Sequence, residues 1–408
     1  MEKGGQYMLL NFRKLPFSTM QGLTLILLFL SGMNVANKYY YLCLVAVCLF
    51  IISRKKIILD WNFLLLLAFS FSWIIFSPDK FDLSVTFLIK PLLYPLAYLV
   101  GRNFYEMYSL SYKRRCIVPA WTILSAGPFV HYIINFLNNV DSDQRNTVDV
   151  WTGLRFSATG QAAMACMMMG VAISFLFISC SKTLKLISIL VLIITIMYNF
   201  VLSGRTLIIM MALIAIACVL YLLKNATSKK KSLKIIAIFL SCILFISIIL
   251  SFNLFGLRDY FESSNLYYRF MNSTSDEFFS SGRFEMKLVY FENFSVSLLG
   301  GSAIKMLCGN YAHDLFLDTY DEAGFFALFA ILFFILRSVK VFLISLKNDF
   351  LDINERILIL GLYISCYLEF MIEPILQGVP WLFMLFCVVH GMLESIYCDC
   401  SYKKKAAL

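Results

Sequence analysis

The sequence predicts an all-α polytopic membrane protein of about twelve transmembrane helices, and three observations predict it. First, 60% of the 408 residues are hydrophobic, only 15% are charged, and the mean hydropathy is +0.79. That composition belongs to an integral membrane protein rather than a soluble domain. Second, apolar runs recur at about 17–33, 37–53, 61–77, 84–101, 116–137, 157–178, 186–202, 206–223, 235–254, 320–336, 357–372 and 380–397. Each approaches the roughly twenty residues needed to cross an apolar core of ~30 Å. Third, basic residues gather at alternate connections between these runs.

The third observation sets the orientation. Lys3, Arg13 and Lys14 are followed by Arg54-Lys55-Lys56, by Arg102 with Lys113-Arg114-Arg115, and by Lys182 and Lys185. Next come Lys224, Lys229-Lys230-Lys231 and Lys234, then Arg337, Lys340, Lys347 and Arg356, and last Lys403-Lys404-Lys405. Together they put 24 of the 35 lysines and arginines on one face. Such residues stay on the cytoplasmic side during insertion, so that face and both termini are expected to be cytoplasmic. The first apolar run leads directly into further spans, and no cleavable signal peptide is expected. The net charge of +10 follows this topology and does not point to nucleic acid. Cysteines such as Cys43, Cys166 and Cys387 lie inside spans without metal-ligand spacing and read as small apolar filler, so neither a metal nor a cofactor is expected.

Three regions follow. Residues 1–254 form a bundle of about nine spans with an external connection at 138–156, residues 255–319 form a large external loop between spans nine and ten, and residues 320–408 supply three more spans and a basic cytoplasmic tail. A loop of this length inside a compact membrane protein is usually functional. Within it, Leu266-Tyr267-Tyr268-Arg269-Phe270 and the stretch from Phe284 to Tyr290 suit short amphipathic helices lying along the interface.

The external face carries the candidate functional residues. Ser203-Gly204-Arg205 fills a connection almost too short to be a loop. A guanidinium there offers a planar fork of donors for phosphate oxygens, although an arginine reaching lipid headgroups is the plainer alternative. Ser281-Gly282-Arg283 repeats the triplet and opens one of the expected loop helices. Arg155, just outside the sixth span, is a third candidate for phosphate; Arg258 and Arg269 are further loop cations. His313 is one of three histidines and adjoins Asp314, with Asp318 and Glu322 following at intervals of four. A neutral imidazole can take a proton from a sugar hydroxyl while a carboxylate orients it. His131 and His390 fall inside spans and read as satisfied interior residues. Lys90, an intramembrane charge beside Pro91, is expected either to touch a lipid phosphate or to pair with a carboxylate such as Glu373; Glu369 and Glu373 are also possible partners for the arginines. Asp141-Ser142-Asp143 resembles a metal-binding pair of aspartates but carries little information.

In order and spacing these motifs resemble the O-antigen polymerase and ligase superfamily over residues 190–335. The matching elements are Leu202-Ser203-Gly204-Arg205, Ser281-Gly282-Arg283, Leu298-Leu299-Gly300-Gly301, His313-Asp314-Leu315-Phe316-Leu317 and Glu322-Ala323-Gly324-Phe325. Asp314 stands where the family usually has Asn, and Gly300-Gly301-Ser302 only approximates the family's glycine pattern. The resemblance implies a GT-C-like membrane glycosyltransferase of the bacterial inner membrane, with its active site facing the periplasm. Its donor would be a growing glycan on undecaprenyl diphosphate and its acceptor a lipid-linked repeat unit, with a chain-length regulator as a further partner. The implied catalytic residues are His313, Asp314 and Arg283; Arg205, Arg283 and Arg155 would hold the diphosphate; Asp318, Glu322, Lys90 and Arg269 are secondary candidates. A ligase moving finished polymer onto a lipid A core would use the same donor and similar residues. A lipid-linked oligosaccharide flippase is the rival from another class, and Lys90 is the residue it explains best.

Overall fold

In the computed structural model, residues 17–406 are described apart from 55, 79–83, 106–107, 140–145, 203, 227, most of 231–250, 254–255, 273–281 and 349–350. Helices stand on the expected apolar runs: α1 (Thr19–Gly32), α2 (Tyr39–Ile52), α3 (Trp61–Phe76), α4 (Val85–Asn103), α5 (Leu110–Asn138), α6 (Ala158–Phe177), α7 (Lys182–Leu202) and α8 (Arg205–Lys224). The run at 235–254 lies largely outside the described residues. The loop region holds α9 (Leu257–Glu262), α10 (Asn265–Asn272), α11 (Arg283–Glu292) and α12 (Ala303–Cys308). The chain closes with α13 (Leu315–Leu346), α14 (Ile353–Phe370), α15 (Ile375–Gly378) and α16 (Pro380–Ala406). Among the described residues, six helices (α5, α6, α7, α8, α13 and α16) are long and apolar enough to cross a membrane. Large apolar side chains such as Ile26, Phe71, Leu190, Leu220 and Phe333 point outward, compatible with a multi-pass membrane protein. The expected all-α class meets one small departure: Asn146–Val148 and Arg155–Ser157 pair as an antiparallel hairpin between α5 and α6.

Local chemistry explains where the helices begin. Ser18 caps α1 and Asp352 caps α14, both in reciprocal capping boxes, while Asp60, Ser84 and Ser157 each accept a backbone N–H at the start of α3, α4 and α6. Proline within α4 needs compensation, because Pro95 has no N–H to offer the carbonyl of Pro91. Ser70 of α3 donates its hydroxyl to that carbonyl at 2.7 Å, so the freed acceptor is satisfied from a neighbouring helix. Small residues bring helices into backbone contact: Gly101 against Gly391 of α16, Gly127 against Phe29 and Gly32 of α1, and Gly170 against Gly361 of α14.

The bundle has two polar ends. One gathers the connectors expected to be cytoplasmic: Arg102 binds Asp60 at 3.0 Å, Lys113 binds Asp399 at 2.9 Å, and Arg114 binds Glu355 at 2.9 Å and Asp352 at 3.5 Å. The hairpin, α11, α12 and the start of α13 lie at the other. There His131 pairs with Asp149 at 2.7 Å, and Trp151 donates its indole N–H to the carbonyl of Met33.

The site end is organised by a crossing of two backbones. Residues 298–302 run against 321–325, with Gly301 and Ser302 donating to the carbonyls of Glu322 and Asp321, and Phe325 donating to Leu298. Gly324 breaks α13 with φ 79° and ψ −176°, a region open essentially to glycine alone. A Cβ there would lie 2.8 Å from the backbone of Leu299, and one on Gly300 would lie 2.7 Å from the carbonyl oxygen of Glu322. The two glycine motifs are thus one interlocked structure. The kink separates the acidic first turns of α13 from the apolar length that follows.

Candidate functional site

Gly282, left-handed at φ 69°, turns the chain into α11. Arg283 and Lys287 stand four residues apart, so they share one face of that helix. Arg283 donates from Nη2 to Oε1 of Glu373 at 2.7 Å, reaching the turn beyond α14. Lys287 donates to Oδ2 of Asp314 at 2.9 Å and to the carbonyl of Met371 at 2.8 Å. One turn of a loop helix therefore grips both the start of α13 and the end of α14.

His313 lies between these grips. Its φ of 57° is left-handed, which a non-glycine residue adopts only when its surroundings impose it. The imposing contacts come from Asp318, which is buried and accepts the N–H groups of Ala312 and Asp314 at 2.7 and 2.9 Å. Asp314 then caps α13 through the N–H groups of Phe316 and Leu317 while its second oxygen meets Lys287. The two aspartates fold the chain around His313, and its side chain stays 31% exposed. Nδ1 of the imidazole stands 3.8 Å from Oε2 of Glu373 and, among the described residues, has no hydrogen-bond partner.

Two further carboxylates border the group. Glu369, one turn before Glu373, is fully buried, and neither of its oxygens has a hydrogen-bond partner among the described residues. Asp321 is buried and structural: it accepts from the Ser297 hydroxyl at 2.5 Å and from the N–H groups of Ile304 and Lys305 at 2.8 and 3.0 Å. Beside the group opens a cavity of about 520 Å³, bordered by Lys90, Arg155, Tyr311, Glu322, Gln377 and Trp381 among others. Gln377 donates to Glu322 across its wall. Lys90 is exposed into this space, with its ammonium 5.7 Å from the ring of Tyr40.

The candidates thus divide. Arg283, His313, Asp314 and Asp318 meet in one group, while Arg155, Lys90 and Glu322 meet at the adjoining cavity. Glu373, an expected partner for either Lys90 or the arginines, pairs with Arg283. Arg205 is half-buried in the first turn of α8 and does not border the cavity. Tyr221, near the far end of α8, donates to the carbonyl of Leu346, just before α14 begins. Helices α8 and α14 therefore run antiparallel, and Arg205 stands at the same end of the bundle as Glu369. The side chain of Arg269, and Ser203, Ser281 and Asp141-Ser142-Asp143, lie outside the described residues. Asp318 acts on the backbone rather than presenting an acidic face. His131 and His390 are interior, the latter between Tyr363 and Asn62. Sequence reasoning missed Lys287, Asp321 and Gln377. Lys287 had a signal, since it lies one turn after Arg283 on a helix that was expected.

A buried carboxylate 3.8 Å from one nitrogen of a partly exposed imidazole would orient a general base on closing to hydrogen-bond length, leaving the second nitrogen for a substrate. Cations at the same end can stabilise charge on a leaving group. Compared with known proteins, the chain matches no family model and no curated sequence.

Proposed function

We propose that this chain is a polysaccharide repeat-unit polymerase, a metal-independent membrane glycosyltransferase of GT-C-like design. In this reading about twelve spans place residues 255–319 as a large loop between spans nine and ten, outside the bacterial inner membrane, with both termini cytoplasmic. The observation that carries the reading is the grouping of Arg283, Lys287, His313 and Glu373 beside a cavity holding Arg155 and Lys90. A diphosphate is already a good leaving group, and cations rather than a metal can stabilise it.

The acceptor sugar's hydroxyl gives its proton to His313 as its oxygen bonds to the donor's anomeric carbon. The bond from that carbon to the diphosphate oxygen breaks, and its electron pair leaves on undecaprenyl diphosphate. Arg283 and Arg155, with Arg205 on the neighbouring helix, meet the diphosphate. Asp314 and Asp318 hold His313 in place. Glu322 and Lys90 border the space for sugar and headgroup.

The test is a deletion strain whose surface polysaccharide is resolved by chain length. Loss of the gene should leave single repeats, restored by the intact protein but not by Arg205→Ala or Arg283→Ala at equal protein level. Accumulated long lipid-linked chains would point to a ligase instead. Unaltered ladders in the deletion strain would refute the polymerase reading.

A further inference from the structure

Glu373 is nine-tenths buried or more and serves two neighbours unequally. Oε1 is bound by Arg283 at 2.7 Å, while Oε2 stands 3.8 Å from Nδ1 of His313, beyond hydrogen-bond length. Nδ1 is itself buried and unpartnered among the described residues, a costly arrangement for a polar atom. Closing that gap takes a shift of roughly 1 Å, within a side-chain rotation, once the carboxylate is released from the guanidinium.

We infer that Glu373 is a positioning residue that changes hands: an anion captured by Arg283 frees the carboxylate to accept a hydrogen bond from Nδ1 of His313. The inference rests on the reading that Arg283 meets the lipid diphosphate. With its donor absent, the imidazole is unoriented; with the donor bound, it is fixed in the tautomer that leaves Nε2 free to take a proton. The acceptor is therefore activated only when there is something to transfer.

The charged groups that face this exchange are few enough to name. Arg283 and Lys287 come from α11, and Asp314 and Asp318 from the start of α13. Glu369 and Glu373 come from α14 and the turn beyond it. Lys287 is already committed to Asp314 and Met371, and Asp318 to two backbone N–H groups, so neither competes for His313. Glu369 is fully buried one turn before Glu373 and, among the described residues, has no hydrogen-bond partner.

The test uses the full chain in lipid nanodiscs with 15N-labelled histidine. Only three histidines contribute signals, and His313→Gln assigns the one in question. Adding undecaprenyl diphosphate should move the His313 Nδ1 signal to the position of a protonated nitrogen bonded to a carboxylate. Glu373→Gln should abolish the move while retaining diphosphate binding, and Glu373→Asp should restore part of it. Arg283→Met should produce the move without any lipid diphosphate, and Arg283→Met combined with Glu373→Gln should not. Diphosphate binding that depends on Arg283 but leaves the His313 signal unmoved would overturn the hand-over and leave the proposed function standing. Absence of diphosphate binding to the intact protein would overturn both.

Discussion

The two polar ends of the bundle use the same chemistry to different effect. At one end three cations hold acids: Arg102 holds Asp60, Lys113 holds Asp399, and Arg114 holds Asp352 with Glu355. These pairs join helix ends that are already held by their spans. At the other end Glu373 lies between a bound guanidinium and the His313 imidazole, whose Nδ1, like both oxygens of the buried Glu369, has no hydrogen-bond partner among the described residues. The first set of pairs fastens the bundle. In the second a shared carboxylate has a bond to exchange, which is what the proposed function asks of it.

The sharpest way to break the contrast is Gly324→Ala. The substituted residue would keep a backbone conformation reserved for glycine and push its Cβ against Leu299, costing about 3 kcal/mol. Thermal unfolding in detergent should fall markedly and chain-length ladders should collapse. A variant with unchanged melting and normal ladders would mean that the backbone crossing does not hold the site. Lys113→Met tests the opposite end. Lys113 is 2% exposed but its partner Asp399 is 34% exposed, so solvent tempers the loss to about 1–2 kcal/mol. Melting should drop while polymer length is unchanged; altered chain lengths would show that the two ends are coupled.

Acid sharpens the comparison differently, through the hairpin. Burial alone would raise the pKa of Asp149, but hydrogen bonds from His131, Asn135 and Thr152 outweigh it and hold the carboxyl well below its usual range. A folded value below the unfolded one means that Asp149 stabilises fully above about pH 4 and loses that contribution as pH falls further. The melting temperature of the intact protein should therefore decline more steeply below about pH 4 than that of Asp149→Asn. Parallel declines would remove Asp149 as the source. The smallest effect belongs to Arg258→Ala. Its pair with Glu262 is solvent-exposed within one helix, and neither melting nor chain length should change measurably.

Much of this was legible in the sequence. Apolar runs located the helices, because a span needs length and apolarity wherever it packs. The loop helices at 265–272 and 283–292 followed from their amphipathic pattern, and the position of Arg283 at a helix start followed with them. The group itself was only half legible. Spacing along α13 put Asp314, Asp318 and Glu322 on one face, but it did not show that Asp318 folds back onto Ala312 and Asp314. Nor did it show that Asp321 caps α12. The Asp318 bonds belong to the left-handed turn at His313, and the Asp321 bonds answer N–H groups brought close by the crossing at Gly300 and Gly324. The hairpin was hidden for the same reason: three-residue strands carry almost no periodicity, and side chains on α5 stabilise the connection around Asp149 and Asn139.

The glycine contacts between helices bear on how this molecule can move. Where Gly101 meets Gly391, Gly127 meets Gly32 and Gly170 meets Gly361, no layer of side chains separates the backbones, so these helix pairs cannot slide or roll past one another without collision. Each pair, α4 with α16, α1 with α5 and α6 with α14, travels as one piece. Helices α7 and α8 have no such seam, and they are the least enclosed of the long apolar helices. Arg205 therefore rides on the less enclosed flank of the protein, whereas Glu373 follows directly on a helix locked to its neighbour. Of the two groups the proposed function brings to one donor, Arg205 thus has room to shift and Glu373 has little.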